Sequence, residues 1–166
     1  MIYHLCLGSN LDDPDLQIRK AVEAIEKLEG VRIVRFSSRI RTAPYGRIEQ
    51  PDFINQVLEV DSELSPQSLL EKLLELESKL GRIRTEKWAP RIIDIDILLA
   101  EDTILDTRRT KAGNPGPEVI IPHPDFHNRL FALELLNELI PNAKHPVMHK
   151  SISELYYKLL NRGGKP

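Results

Sequence analysis

At 166 residues the chain suits one domain, long enough to bury a core without disulfides or a structural metal. Its 41% hydrophobic and 29% charged residues exclude disorder, and 23 Lys and Arg against 25 Asp and Glu leave no global field to recruit nucleic acid or a membrane surface. The one cysteine, Cys6, has no internal partner and sits in an apolar run, where a buried, inert thiol is expected.

Ile2 to Leu7 reads as a buried strand with Tyr3, Leu5 and Leu7 on one face. It lacks a basic lead-in and ends at Gly8-Ser9-Asn10, too short for a signal peptide or a membrane span, so the expected location is the cytoplasm. Asp12, Asp13 and Pro14 start a helix whose stripe is Ile18, Val22, Ile25 and Leu28, with Gly30 as its end. A strand follows near Val31 to Ser38. Thr42 to Asp52, with Pro44, Gly46 and Pro51, reads as a loop. Phe53 to Val60 alternates, setting Ile54, Gln56, Leu58 and Val60 against Phe53, Asn55, Val57 and Glu59. Ser65-Pro66 opens a second helix with Leu69, Leu70, Leu73, Leu76 and Leu80 inward, closed by Gly81. A basic loop, Arg82 to Arg91, leads into a strand from Ile92 to Leu99, and Thr107 to Glu118 is polar enough to be an exposed loop. Leu130 to Ile140 and Ser151 to Leu160 are the last helices, the latter opened by a Ser151/Glu154 capping box; Gly163 to Pro166 is expected to fray as a flexible tail. The order β-α-β-β-α-β predicts an α+β fold: a ferredoxin-like antiparallel sheet with helices packed on it, plus C-terminal helices, in a single domain over residues 1–162.

The sharpest chemical signal is Asp94-Ile95-Asp96. Strand residues two apart point to the same face about 7 Å apart, so the two carboxylates share one small volume while Ile93, Ile95 and Ile97 face the core. Carboxylates that close repel unless a cation lies between them, and oxygen ligands favour a hard ion such as Mg²⁺. On spacing alone, solvated aspartates on an amphipathic strand are the commoner case. Arg82, Arg84, Lys87, Trp88 and Arg91 just upstream change the balance, because guanidinium forks beside a metal are what a polyphosphate needs. Neither G-x-x-x-x-G-K-[ST] nor G-x-G-x-x-G occurs, which excludes a P-loop or Rossmann grip on nucleotide. His123/His127 and His145/His149 each open with His-Pro, which argues against helical zinc pairs and for phosphate-contacting or surface imidazoles. Phe53 and Asn55 put a ring and a primary amide on one strand face, which suits the edge of a flat heterocycle; a core Phe beside a surface Asn accounts for them equally well.

Together the motifs LGSNL (Leu7 to Leu11), TAPYG with EQPDFIN (Thr42 to Asn55), GRIR with KWAPRIIDIDIL (Gly81 to Leu98) and IPHPDFHNRLF (Ile121 to Phe131) resemble the 6-hydroxymethyl-7,8-dihydropterin pyrophosphokinase family of folate biosynthesis. The resemblance implies attack of the pterin hydroxymethyl oxygen on the β-phosphorus of ATP, with AMP leaving. It implies two Mg²⁺ on Asp94 and Asp96, with Arg82 and Arg91 joining these aspartates as the catalytic set. Glu77, Arg82, Arg84, Trp88, Arg91, His123 and Arg129 fall at ATP-binding positions. Thr42, Ala43, Tyr45, Phe53, Asn55 and Phe131 fall at pterin-binding positions, with Phe53 and Phe131 on the ring faces. The expected assembly is a monomer. The chain departs from the family at Leu74, where some members have a nucleotide-binding glutamine, at Leu135, often a proline, and in a longer segment from Arg108 to Glu118. An RNA-binding sheet of the same strand order would need exposed aromatics and a basic surface, against four Phe, four Tyr, one Trp and a net charge of −2. A regulatory domain would leave DIDIL and the arginine loop without purpose, and a changed acceptor sits badly with Phe53, Asn55 and Phe131.

Overall fold

The computed structural model describes residues 1–44, 49–83, 89–109 and 115–163. Its apolar runs form a four-stranded antiparallel sheet of β1 (Ile2–Ser9), β2 (Val31–Thr42), β3 (Phe53–Ser62) and β4 (Asp94–Ala100), ordered β2-β3-β1-β4. With α1 (Pro14–Glu26) and α2 (Pro66–Lys79) between the strands, this is the ferredoxin-like arrangement expected from the sequence. One core lies between the sheet and these helices, built on Tyr3, Leu5, Leu7, Ile18, Ile25, Leu58, Leu69, Leu73, Ile93, Ile95 and Ile97. The other face is covered too. There α3 (Leu130–Leu139) and α4 (Ile152–Asn161) enclose a second core of Cys6, Val57, Phe126, Phe131, Leu133, Leu136, Ile152 and Leu155. Covering both faces explains why β3 is buried almost throughout instead of alternating: Gln56 and Glu59 are inside, each held by polar partners.

Local signals set the helix starts. The Asp13 carboxylate accepts from the Leu16 amide, the Ser65 hydroxyl from the Ser68 amide, and the Ser151/Glu154 capping box is closed in both directions. The ends are less literal. α1 stops at Glu26, because the Lys27 and Leu28 amides turn back onto Ala24 and Ile25; Gly30, at φ +80°, serves the turn into β2 and rests on Leu64. β2 runs on to Thr42, carried past Ser38 by pairing with β3 across two register shifts. A two-stranded ribbon, β5 (Leu105–Asp106) and β6 (Ile120–Ile121), brackets the segment from Thr107 to Glu118 that was expected as a loop. Thr107 and Val119 lock it: the Thr107 amide donates to the Val119 carbonyl (3.0 Å), and the Val119 amide to the Thr107 hydroxyl (2.8 Å). No helix of the described residues is long and apolar enough to cross a membrane.

His145 corrects the reading of its pair as surface or phosphate-contacting imidazoles. It is buried, its ring stacks on Phe126 at 5.2 Å, and its Nδ1 accepts from the Val147 and Met148 amides. His4 is buried beside Glu59, which Arg35 grips with two hydrogen bonds. Burial lowers the pKa of both histidines, outweighing the Glu59 carboxylate at His4 and joined at His145 by the charges of His127 and His149. In the unfolded chain both imidazoles bind a proton as pH falls through 6.5, whereas in the fold they resist it. Stability is therefore expected to be full above that pH and to decline below it, by at most about 1.4 kcal/mol per pH unit for each group. Thermal melting from about pH 7.5 to about pH 5.5 checks this; an unchanged Tm would mean the fold accepts both charges.

Candidate active site

A cavity of about 800 Å³ opens where β1 and β2 end and β3 and β4 begin. Antiparallel pairing brings these ends together, so residues far apart in sequence share one wall. Gly8 lies opposite Asn55 on β3 and opposite Asp94 on β4.

The β4 wall carries the charge. Ile93, Ile95 and Ile97 enter the core as expected, and Asp94 and Asp96 turn to the cavity. Each Asp94 oxygen accepts from one guanidinium: Oδ1 from Arg82 (2.7 Å) and Oδ2 from Arg91 (2.8 Å). Arg82 also donates to Glu77 (2.9 Å), whose other oxygen accepts from the Ile95 amide (2.7 Å). Glu77 is thus a buried strut between α2, the β4 backbone and Arg82, a placement the sequence did not signal. Asp96 faces the Arg129 guanidinium at 3.6 Å and the His123 imidazole at 3.9 Å. Burial, then the Asp94 charge, pushes the Asp96 carboxyl up to about 7 against the pull of Arg129. Burial and Arg129 together push His123 down to about 4, leaving it neutral at pH 7. Two convergent carboxylates, one half protonated, fit a hard divalent cation. Among the described residues no cluster of three or more His, Cys, Asp or Glu that could hold a metal ion is present. Cys6 lies beneath, its thiol driven upward by burial and by Asp96 and Asp94, and so inert as expected.

The opposite end is mostly apolar. Asn55 donates to the Thr42 hydroxyl at 2.8 Å, both groups being buried, and Phe53, Ala43 and Phe131 complete the wall. The Arg91 guanidinium sits 5.6 Å from the centre of the Phe53 ring, linking the two halves. Two positions carry more than their motif announced. A Cβ on Gly8 would come within 2.9 Å of the Asn55 Oδ1 and 3.8 Å of Phe53, so only glycine leaves the amide its place. Asn10 is buried and joins the two loops that flank the cavity. Its amide nitrogen donates to Gln50 (2.9 Å) and to the Pro51 carbonyl (3.0 Å), and its Oδ1 accepts from the Arg91 amide (2.9 Å).

Leu70 and Leu74 of α2 line the remaining wall with Pro117 and Glu118, from the segment that looked overlong. Gln67 on α2 donates to the Pro117 carbonyl at 3.2 Å, so this end of the segment belongs to the cavity, not merely to the surface. Leu135 is fully buried in the second core, consistent with a packing role. Tyr45, Arg84 and Trp88 lie outside the described residues, as do Lys87, the middle of the 108–118 segment and the last three residues of the tail.

The model of the 7,8-dihydro-6-hydroxymethylpterin-pyrophosphokinase (HPPK) family matches residues 4–141. The chain is 36% identical over 146 residues to the 2-amino-4-hydroxy-6-hydroxymethyldihydropteridine pyrophosphokinase of Haemophilus influenzae, covering 85% of this chain and 86% of that one. It is 37% identical over 151 residues to the enzyme of the same name from Aquifex aeolicus, covering 91% and 88%. Among solved structures, the wild-type HPPK-DHPS of Plasmodium falciparum with pteroate superposes with a TM-score of 0.78 over 97% of this chain at 17% identity, which is a likeness of fold. The chain spans only 44% of that longer protein. Motifs, sheet order and sequence identity agree, and the chain belongs to the 7,8-dihydro-6-hydroxymethylpterin-pyrophosphokinase family.

Proposed function

We propose that the cavity is the active site of a transfer in which the pterin hydroxymethyl oxygen attacks the β-phosphorus of ATP. The O–P bond to AMP breaks, and the pterin leaves as its diphosphate. The observation that carries this is a single cavity with a carboxylate-guanidinium cluster at one end and a buried amide beside aromatic rings at the other. Two Mg²⁺ on Asp94 and Asp96, when bound, offset the charge that develops on the transferring phosphates.

The chain's own groups do the positioning. Arg82 and Arg91, now paired with Asp94, turn to phosphate oxygens once that carboxylate has another partner, so each guanidinium holds its place before substrate arrives. Glu77 acts on nucleotide through Arg82, which it keeps aimed at the cavity. Neutral His123 donates a hydrogen bond without adding charge, and Arg129 supplies charge beside Asp96. Asn55 reads the heterocycle edge, with Thr42 fixing its amide, while Phe53, Phe131 and Ala43 provide apolar faces. By resemblance Arg84 and Trp88 join the ATP side and Tyr45 the pterin side. Alignment and charge account for the rate, and no side chain is assigned as a general base. We read the enzyme as a cytoplasmic monomer with no nucleic-acid or membrane partner; sedimentation velocity checks the monomer.

The test is product analysis with ATP, Mg²⁺ and 6-hydroxymethyl-7,8-dihydropterin. Equimolar AMP and pterin diphosphate, abolished by a chelator, is the expected result. ADP in place of AMP would overturn the pyrophosphoryl transfer.

A further inference from the structure

A second, smaller cavity of about 180 Å³ adjoins the first, walled by Ile97 of β4, Val119 and Ile120 at β6, and Pro124. Leu70, Asp96, Glu118 and His123 line both spaces, so whatever occupies the two passes between these side chains. Taking the ATP reading above as the frame, phosphates belong with Asp94, Asp96 and the arginines, and a flat base belongs in the apolar slot. The ribose then lies at the junction. Of the residues there, Leu70 is apolar, while Asp96 and His123 face the phosphate end with Arg129.

Glu118 remains. Among the described residues no hydrogen bond or ion pair engages its carboxylate, and the nearby Arg108 guanidinium is already taken by Asp106. Its backbone is nevertheless fixed on both sides, by Gln67 on the Pro117 carbonyl and by the Thr107–Val119 lock. A methyl at Gly116 would crowd the Gln67 amide at 3.0 Å, so the approach to α2 is close. We propose that Glu118 selects ribonucleotides, its carboxylate accepting from the vicinal hydroxyls of the ATP sugar. A carboxylate there suits a diol, which donates two hydrogen bonds, and repels a sugar that carries extra phosphate.

The experiment compares ATP with 2′-deoxy- and 3′-deoxy-ATP, in steady-state turnover and in calorimetric binding of non-hydrolysable analogues with Mg²⁺. The wild-type chain is expected to prefer the ribonucleotide by about tenfold, the worth of a hydrogen bond to a charged group. Glu118→Gln and Glu118→Ala should lose that preference, ATP binding falling about tenfold further than that of either deoxy analogue, which keeps one hydroxyl, with KM for the pterin unmoved. Equal losses for ribo- and deoxynucleotide, or none for either, would overturn the assignment. A wild-type chain that binds ATP but makes no AMP would instead count against the transfer reaction, and the binding arm would still decide Glu118.

Discussion

Asp96→Asn should cut turnover by about 10³-fold, several kcal/mol of lost transition-state charge stabilisation, while raising thermal stability. The two effects have one cause. Asp96 is partly buried next to another carboxylate, and burial and that charge together hold its pKa at about 7, against an ordinary value of 3.8. An acid whose folded pKa is raised costs stability progressively as pH rises from its unfolded value through its folded one. At about pH 8 the ionised group works against the fold, and an amide of the same shape removes the repulsion; each 1 kcal/mol so recovered moves Tm by about 2–4 °C. Added Mg²⁺ should narrow the gap by stabilising the wild type more than the variant. Asp94→Asn should be as inactive but less stable, because it leaves the Arg82 and Arg91 guanidiniums without the carboxylate that holds both. Turnover with added Mg²⁺ and melting with and without it separate these outcomes. A folded Asp96→Asn protein with near-normal turnover would remove the metal role.

What the sequence made legible follows from how local each signal is. The DIDIL alternation needs only β4's own period, and its isoleucines and aspartates point as expected. The Ser65 and Ser151 caps are decided within three residues. Gly30 misled because a turn, not a helix end, demanded its positive φ. The β5–β6 ribbon has two residues per strand, too few for any period to register. Nothing in β3's own alternation reveals that α3 and α4 cover its other face and bury it almost throughout. Asn10 and Glu118 were not marked as site elements, and Glu77 was marked only through the family resemblance, for a related reason. Asn10 and Glu77 find their partners on other strands, loops and helices, and Glu118 reaches the cavity only through its neighbours' contacts, so their meaning is fixed only by the fold.

Gly8→Ala tests the apolar end through such a non-local contact, and KM for the pterin is expected to rise by about 10–100-fold with KM for ATP unchanged. The new Cβ would lie 2.9 Å from the Asn55 Oδ1, closer than real carbon atoms approach, so something must give. The backbone resists, since Gly8 is paired with β3 on one side and β4 on the other. Phe53, at 3.8 Å, is in ordinary contact and need not move. The strain therefore falls on the Asn55 amide, which must swing away from Thr42 and from the position that would read a heterocycle. If β1 and β3 parted instead, Asp94 on the far side of Gly8 would move as well, and ATP and pterin would suffer together. Equal losses would thus refute Asn55 as the edge reader. In an Asn55→Ala background the methyl has no amide to strike, so Gly8→Ala should then cost little more; a fully additive double variant would mean that the two residues act apart.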